Sequence, residues 1–201
     1  MNVLQAVIAR AREDIDVVFA KDPAVTSVWE VLLYPHLHAL WLYRLAHHWY
    51  LKGYRFGPRF ISLLARFISS GIDIHPGAVI GKRFFIDHGS GVVIGETAVV
   101  GDDVMLYHQV TLGATGWWKD MRRAPGSKRH PTIENGVVIG SGAAVLGPIT
   151  VGARSKVGAQ ALVIESIPPD SIVLGHAGAI IRRSADDTLT TAEQLVDDWV
   201  V

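Results

Sequence analysis

Residues 133–163 read, in blocks of six, IENGVV IGSGAA VLGPIT VGARSK VGAQAL V. An aliphatic residue opens each block: Ile133, Ile139, Val145, Val151, Val157 and Val163. Four places on stands a small or β-branched residue: Val137, Ala143, Ile149, Ser155, Ala161. The same period runs earlier through Ile74, Ile80, Ile86 and Val92, slips by two, and continues through Ile94, Val100, Leu106 and Leu112. Its small positions there are Ala78, Ser90, Ala98, Val104 and Val110. A period of six is neither the 3.6 of a helix nor the 2 of a strand. It is the signature of a parallel β-helix, in which each hexapeptide makes one short strand and one corner. The aliphatic residue points inward, the small one fits the tight interior, and three hexapeptides close a triangular coil of about 18 residues. Such coils touch only their neighbours, so the ends need caps. The period does not fix the hand; parallel crossovers are in general right-handed.

Outside the repeat the composition changes. Residues 1–70 hold only two of the 20 Gly, Gly53 and Gly57. Leu4, Ile8, Ala11, Ile15 and Val18 recur on one helical face, and Asp22-Pro23 follows that helix. Further helices are expected over about 27–34, 36–52 and 57–70. The expected fold is α+β: a helical bundle over 1–70, a parallel β-helix over 71–183 with an inserted loop at 114–131, and a tail at 184–201. Thr190 and Glu193 form a capping-box pattern that predicts a short helix over about 191–199.

The 201 residues carry 19 Lys+Arg and 19 Asp+Glu, so no basic excess points to nucleic acid or an anionic membrane. There is no Cys, which excludes disulfides, thiol nucleophiles and zinc–Cys clusters. With 49% apolar and 19% charged residues, the chain is not of disordered composition. The apolar run over 29–50 contains Glu30, Pro35 and Arg44, so no membrane span is expected there. The N-terminus lacks the hydrophobic region of a signal peptide, and a cytoplasmic protein is expected.

Two places break the period. The two-residue slip falls at Asp87-His88-Gly89-Ser90-Gly91. The second break, Ala114–Pro131, is a long loop inside a regular solenoid, which is usually functional or disordered. It carries Lys119, Arg122, Arg123, Lys128 and Arg129 against Asp120 alone. Asp73 precedes His88 by 15 residues, close to one coil, so the two can sit near each other on adjacent coils. A carboxylate beside an imidazole fixes its tautomer and stabilises its protonated form, and such a pair can act as a general base. Spacing alone equally allows a hydrogen-bonded corner Asp and an exposed His. No Walker loop, Gly-x-Ser-x-Gly or His-Glu-x-x-His string is present, and nothing in the sequence asks for a metal.

The strings Gly71-Ile72-Asp73-Ile74-His75-Pro76-Gly77-Ala78, Ile86-Asp87-His88, Gly91-Val92-Val93-Ile94-Gly95-Glu96-Thr97-Ala98 and Arg129-His130-Pro131 closely resemble serine O-acetyltransferases. So do Asp22-Pro23-Ala24-Val25 and His38-Ala39-Leu40 with Tyr43-Arg44 and His47; the likeness spans roughly residues 14–181. The resemblance implies a left-handed β-helix and a homotrimer, with a hexamer as second choice, whose active sites lie between subunits. It implies acetyl transfer from acetyl-CoA to the hydroxyl of L-serine in cysteine biosynthesis, with L-cysteine a feedback inhibitor. By matching position His88 is the base and Asp73 its orienting carboxylate. Asp22 and Asp87 hold the serine amino group, Arg129 and His130 its carboxylate region, and Glu96 supports them. Acetyl-CoA is implied at Ala114, Thr115, Ser141, Lys156 and Ala159.

The sequence departs from the resembling pattern in three places. Leu112-Gly113-Ala114-Thr115 stands where Leu-Gly-Gly-Thr is common. The 117–128 loop is longer than usual, and its cations are candidates to assist the CoA phosphates. The tail ends in Val201 where an Ile commonly docks O-acetylserine sulfhydrylase, leaving that partner open. Competing readings are a hexapeptide acetyltransferase for homoserine, a sugar or an antibiotic, and a catalytically silent CoA-binding scaffold. A gamma-class carbonic anhydrase would need three His ligands; His75, His88, His108 and His130 exist, but their surrounding strings do not resemble that family.

Overall fold

The computed structural model describes residues 3–124 and 126–175. The tail at 184–201, the helix expected near 191–199 and the end of the solenoid to 183 lie outside the described residues.

Four helices open the chain: α1 (Val3–Lys21), α2 (Val28–Val31), α3 (Pro35–Leu51) and α4 (Phe56–Ile68). The α1 helix stops at an Asp-Pro turn in which Asp22 Oδ1 accepts from the Ala24 N–H at 2.8 Å. Ser27 caps α2, accepting from the Glu30 N–H, and Pro35 opens α3 where its missing N–H costs nothing. The buried side of α1 matches the face read in the sequence only in part, at Val18 and at Ile15, which packs against the core. Ile8 is exposed, while Asp14, Val17 and Val18 are buried. Asp14 is inside because α3 supplies its partners: Arg44 Nη2 at 2.7 Å and the Trp41 indole N–H at 3.0 Å. A buried charge survives only with such pairing.

Strands β1 (Asp73–Ile74), β2 (Val79–Ile80), β3 (Phe85–Ile86), β4 (Val93–Ile94), β5 (Val99–Val100), β6 (Met105–Leu106) and β7 (Thr111–Gly113) precede the insertion, which contains α5 (Trp117–Asp120). Strands β8 (Thr132–Ile133), β9 (Val138–Ile139), β10 (Ala144–Leu146), β11 (Thr150–Val151), β12 (Lys156–Val157), β13 (Leu162–Val163) and β14 (Ile172–Val173) follow. They form three all-parallel sheets, β1-β4-β7-β10-β13, β2-β5-β8-β11 and β3-β6-β9-β12-β14, the three walls of a left-handed β-helix. Ile94, Leu106, Leu112, Ile133, Ile139, Val145 and Val151 fill its interior, and Ala78, Ala98, Ala143 and Ser155 occupy the tight corners. Each fully buried aliphatic side chain contributes about 1.5–3 kcal/mol.

Pairing Ile94 with Leu112 gives the 18-residue coil, but Ile74 pairs with Ile94, 20 residues on. One assignment changes as a result. Val92 is not a fourth strand residue; it precedes β4 as Val110 precedes β7, and it fills a corner. Ser90, read as a small interior residue, is exposed. The alternative phase was open because Val92 is apolar and also six residues from Ile86.

The helices are fastened to the first coil. Tyr43 Oη donates to Ala78 O, His47 Nδ1–H donates to Pro76 O at 2.7 Å, and Ser62 Oγ donates to Ile74 O at 2.9 Å. Phe85, fully buried, packs among Val17, Val18, Val31 and Leu37. This junction sets the α1–α2 segment against the corner after β3.

Candidate active site

Left-handed backbone recurs in two corner columns, one through Arg83, Asp103, Gly136, Arg154 and Asp170, the other through Gly91, Gln109, Gly142 and Gln160. His88, with φ 58°, belongs to neither. It lies in the two-residue insertion, and the Gly89 N–H donates back to Asp87 O at 2.7 Å. Left-handed backbone at a non-Gly residue outside the regular corners is local strain of the kind that collects at functional sites. The effect is to project the imidazole outward, with its side chain 75% exposed.

The insertion meets the helices in a cleft of about 370 Å³ lined by Asp22, Tyr34, His36, Asp87 and His88. His88 Nε2 is 3.9 Å from Asp87 Oδ1. Asp22 accepts a hydrogen bond from Tyr34 Oη, which together with the Ala24 N–H holds its carboxyl below the usual range. Desolvation and the adjoining Asp22 push the Tyr34 hydroxyl up to about 12, so it stays a donor. Burial between Tyr34 and Phe85 drives His36 down to about 4, which leaves it neutral. The cleft therefore presents the carboxylates of Asp22 and Asp87, with a third, Glu30, bonded to Thr26, beside one accessible imidazole.

A second cluster forms elsewhere on the chain. Glu96 accepts from Tyr50 Oη at 2.7 Å and from Arg129 Nη2. The Tyr50 bond is the main reason its carboxyl lies low. Thr97 Oγ1 accepts from the backbone N–H of Arg129 at 2.8 Å and of His130 at 3.0 Å. Its own proton is then directed to His130 Nδ1 at 2.9 Å, which also accepts from the Thr97 N–H at 3.1 Å. His130 is buried and held down to about 4, chiefly by desolvation and then by Arg129. A neutral ring accepting at Nδ1 carries its proton on Nε2. Gly95 leaves room for that ring: a Cβ there would stand 2.0 Å from His130 Cδ2. His75, on the neighbouring coil, is edge-on to Tyr50 and lowered by burial.

The site residues read from the sequence thus fall into groups. Asp22, Asp87 and His88 come together, as do Glu96, Arg129 and His130. Asp73 does not pair with His88 within the chain; its carboxylate meets Arg66 at 3.6 Å. The 15-residue spacing suggested otherwise because it assumed an 18-residue coil, and this coil has 20. Arg129 is not an open fork, since Glu96 and Asp120 (3.9 Å) both engage it. Ala114 and Thr115 follow β7, Ser141 and Ala159 share one corner column before β10 and β13, and Lys156 lies on a different wall, on β12. Tyr34, Tyr50 and Thr97 were missed as site residues. The tyrosines were legible only as polar tips on helix faces, and Thr97 only as part of a string. No group of three or more His, Asp or Glu that could hold a metal occurs among the described residues. None of the described helices is long and apolar enough to cross a membrane.

A family model, bacterial transferase hexapeptide (six repeats), matches residues 130–165. The chain is 49% identical to a serine acetyltransferase of Mycobacterium tuberculosis over 174 residues, 86% of this chain and 72% of that protein. It is 52% identical to that of Helicobacter pylori over 167 residues, 83% of this chain and 93% of the other. Among solved structures, serine acetyltransferase isoform 3 of Entamoeba histolytica in complex with cysteine superimposes with a TM-score of 0.78. It is 38% identical and covers 98% of this chain and 66% of its own. The Brucella abortus enzyme in complex with coenzyme A gives 0.77 at 39% identity, over 87% of this chain and 67% of its own. The Neisseria gonorrhoeae enzyme in complex with serine gives 0.76 at 32% identity, over 86% and 68%.

Proposed function

The chain belongs to the serine acetyltransferase family, acetyl-CoA-dependent enzymes that acetylate the serine hydroxyl, and we propose that His88 is the base of that reaction here. The observation that carries the reading is the left-handed His88, set by a two-residue insertion over a cleft that holds Asp22 and Asp87. His88 takes the proton of the serine hydroxyl as the oxygen attacks the thioester carbon. The C–O bond forms, the carbonyl becomes an oxyanion, and backbone N–H groups are suited to stabilise it. The C–S bond then breaks, and the imidazolium returns its proton to the leaving CoA thiolate. Asp22 and Asp87 hold the serine ammonium. Arg129 and the neutral His130, through Nε2–H, meet its carboxylate.

One chain carries these groups as two separate halves, which supports a homotrimer whose sites form between neighbours, with a hexamer as the alternative. An imidazole exposed to water is poorly placed for catalysis until a second copy covers it. Asp73 is proposed as the orienting carboxylate on the resemblance alone. Its ion pair with Arg66 is exposed on the arginine side, and such pairs are weak, so exchanging Arg66 for an imidazolium costs little. Acetyl-CoA is assigned to the groove flanked by Ala114, Thr115, Ser141, Lys156 and Ala159. L-cysteine, seen on the Entamoeba histolytica relative, is assigned as a competitor of serine. The biosynthetic role argues for the cytoplasm, and O-acetylserine sulfhydrylase is retained as a partner to be tested.

CoA release followed with a chromogenic thiol reagent has no protein background, because the chain has no Cys. Release is expected with L-serine and not with L-homoserine or a galactoside. Release only with another acceptor would overturn the serine assignment.

Gly95→Ala tests the second half of the site. The added Cβ would overlap His130, whose ring is fixed by Thr97 and buried, so the imidazole must leave its place. At least a tenfold fall in kcat/KM for serine, about 1.4 kcal/mol, is expected with a folded protein by circular dichroism. Unchanged kinetics would remove His130 from the site.

A further inference from the structure

The insertion between β7 and β8 carries surface that the site described above does not use. It is pinned at both ends. At its start the Trp118 ring lies over Gly116, where a Cβ would come within 3.0 Å of three ring atoms. At its end Lys128 Nζ donates to Thr97 O at 2.9 Å. Between them Asp120, the only acid of the insertion, is taken up by Arg123 at 3.3 Å and Arg129 at 3.9 Å. Lys119 and Arg122 are exposed and have no acidic partner among the described residues. Trp117 is 75% exposed and stands edge to face with Trp118, ring centroids 6.3 Å apart.

A pinned loop that offers two indoles and two uncommitted cations suits a ligand with a flat heteroaromatic face and several negative charges. Serine and cysteine have no such face, and a pantetheine arm has neither ring nor charge. The nucleotide end of acetyl-CoA, an adenine with a 3′-phosphate and a diphosphate, has both. The loop also leaves the coil directly after Thr115, at one edge of the assigned groove. We propose that Trp117, Trp118, Lys119 and Arg122 form the seat for the nucleotide end of acetyl-CoA. The adenine stacks on the indoles and the phosphates pair with Lys119 and Arg122. This inference rests on the acetyl-CoA reading of the site.

S-acetylpantetheine has the same thioester and arm without the nucleotide, so it separates the seat from the chemistry. The double variant Trp117→Ala with Arg122→Glu is expected to raise the KM for acetyl-CoA about 10- to 100-fold. Its kcat/KM with S-acetylpantetheine and its KM for serine stay at wild-type values. Calorimetric titration with adenosine 3′,5′-bisphosphate detects binding to the wild type and none to the variant, and the wild-type affinity falls with added salt. Equal losses with both donors overturn the seat, since the loop then serves the chemistry or a contact with another copy. Wild-type kinetics with both donors overturn it as well. A wild type that binds the bisphosphate but acetylates nothing leaves the seat standing and overturns the serine-acetylation reading instead.

Discussion

His88→Ala is expected to lower serine-dependent CoA release by about 10²–10⁴-fold, the range that general-base help supplies. A serine hydroxyl is a weak nucleophile until its proton leaves, whereas the thioester is already a good electrophile. The barrier therefore sits on the proton, and His88 is the imidazole in the cleft that is open to a ligand. His36 faces the same cleft but is buried and bound between Tyr34 and Phe85. A carboxylate is in general a far weaker base than an imidazole. The side chain of His88 is largely exposed, so its loss removes little packing. The left-handed backbone does penalise Ala. His88→Asn, which tolerates that conformation better, controls for this and is expected to be equally inactive. Steady-state rates of both variants, beside melting curves and calorimetric CoA binding, make the check. Either variant retaining more than a tenth of wild-type turnover would assign the proton transfer to another group.

The coil was legible because its period is set by geometry that every turn repeats. Ile94, Val100, Leu106 and Leu112 could be placed inside from their spacing, and all are buried. What failed was the register through the insertion. Val92 satisfied two phases, and only its pairing position separates them. The face of α1 was misread in part, for a different reason. Asp14 looks like a solvent residue until Arg44 and Trp41, some 30 positions later, fold over it. Asp87 and His88 were legible as a break in the repeat, but their company was not. That Asp22 faces them depends on the Asp-Pro turn after α1 and on how Phe85 docks the helices. Thr97 was beyond reach, since its role consists of four hydrogen bonds, three of them at the hydroxyl, that exist only when Arg129 and His130 return from the insertion.

The separation of the two halves has a consequence for mixed oligomers. His88→Ala removes the proposed base from one half, and Arg129→Ala removes the proposed carboxylate-binding cation from the other. Each homo-oligomer then lacks one group at every site and is expected to be close to inactive. In co-assembled oligomers a site is intact when the subunit giving His88 comes from the Arg129→Ala stock and its neighbour from the His88→Ala stock. With equal stocks and random assembly each condition is met half the time across the whole mixture; once the homotrimers are removed, every mixed trimer holds one intact site in three, so about one third of wild-type activity returns. The gain over either parent is then tens- to thousands-fold, because the parents start near zero. Arg129→Ala leaves Glu96 bonded to Tyr50, and both parents can be checked for folding by melting curves before mixing. Differently tagged stocks, co-expressed and purified through both tags, supply the mixed species. If both halves came from a single chain, no mixture could contain an intact site, and activity would stay at the level of the better parent. That result would overturn the shared site and require a rearrangement within one chain to bring Arg129 to His88.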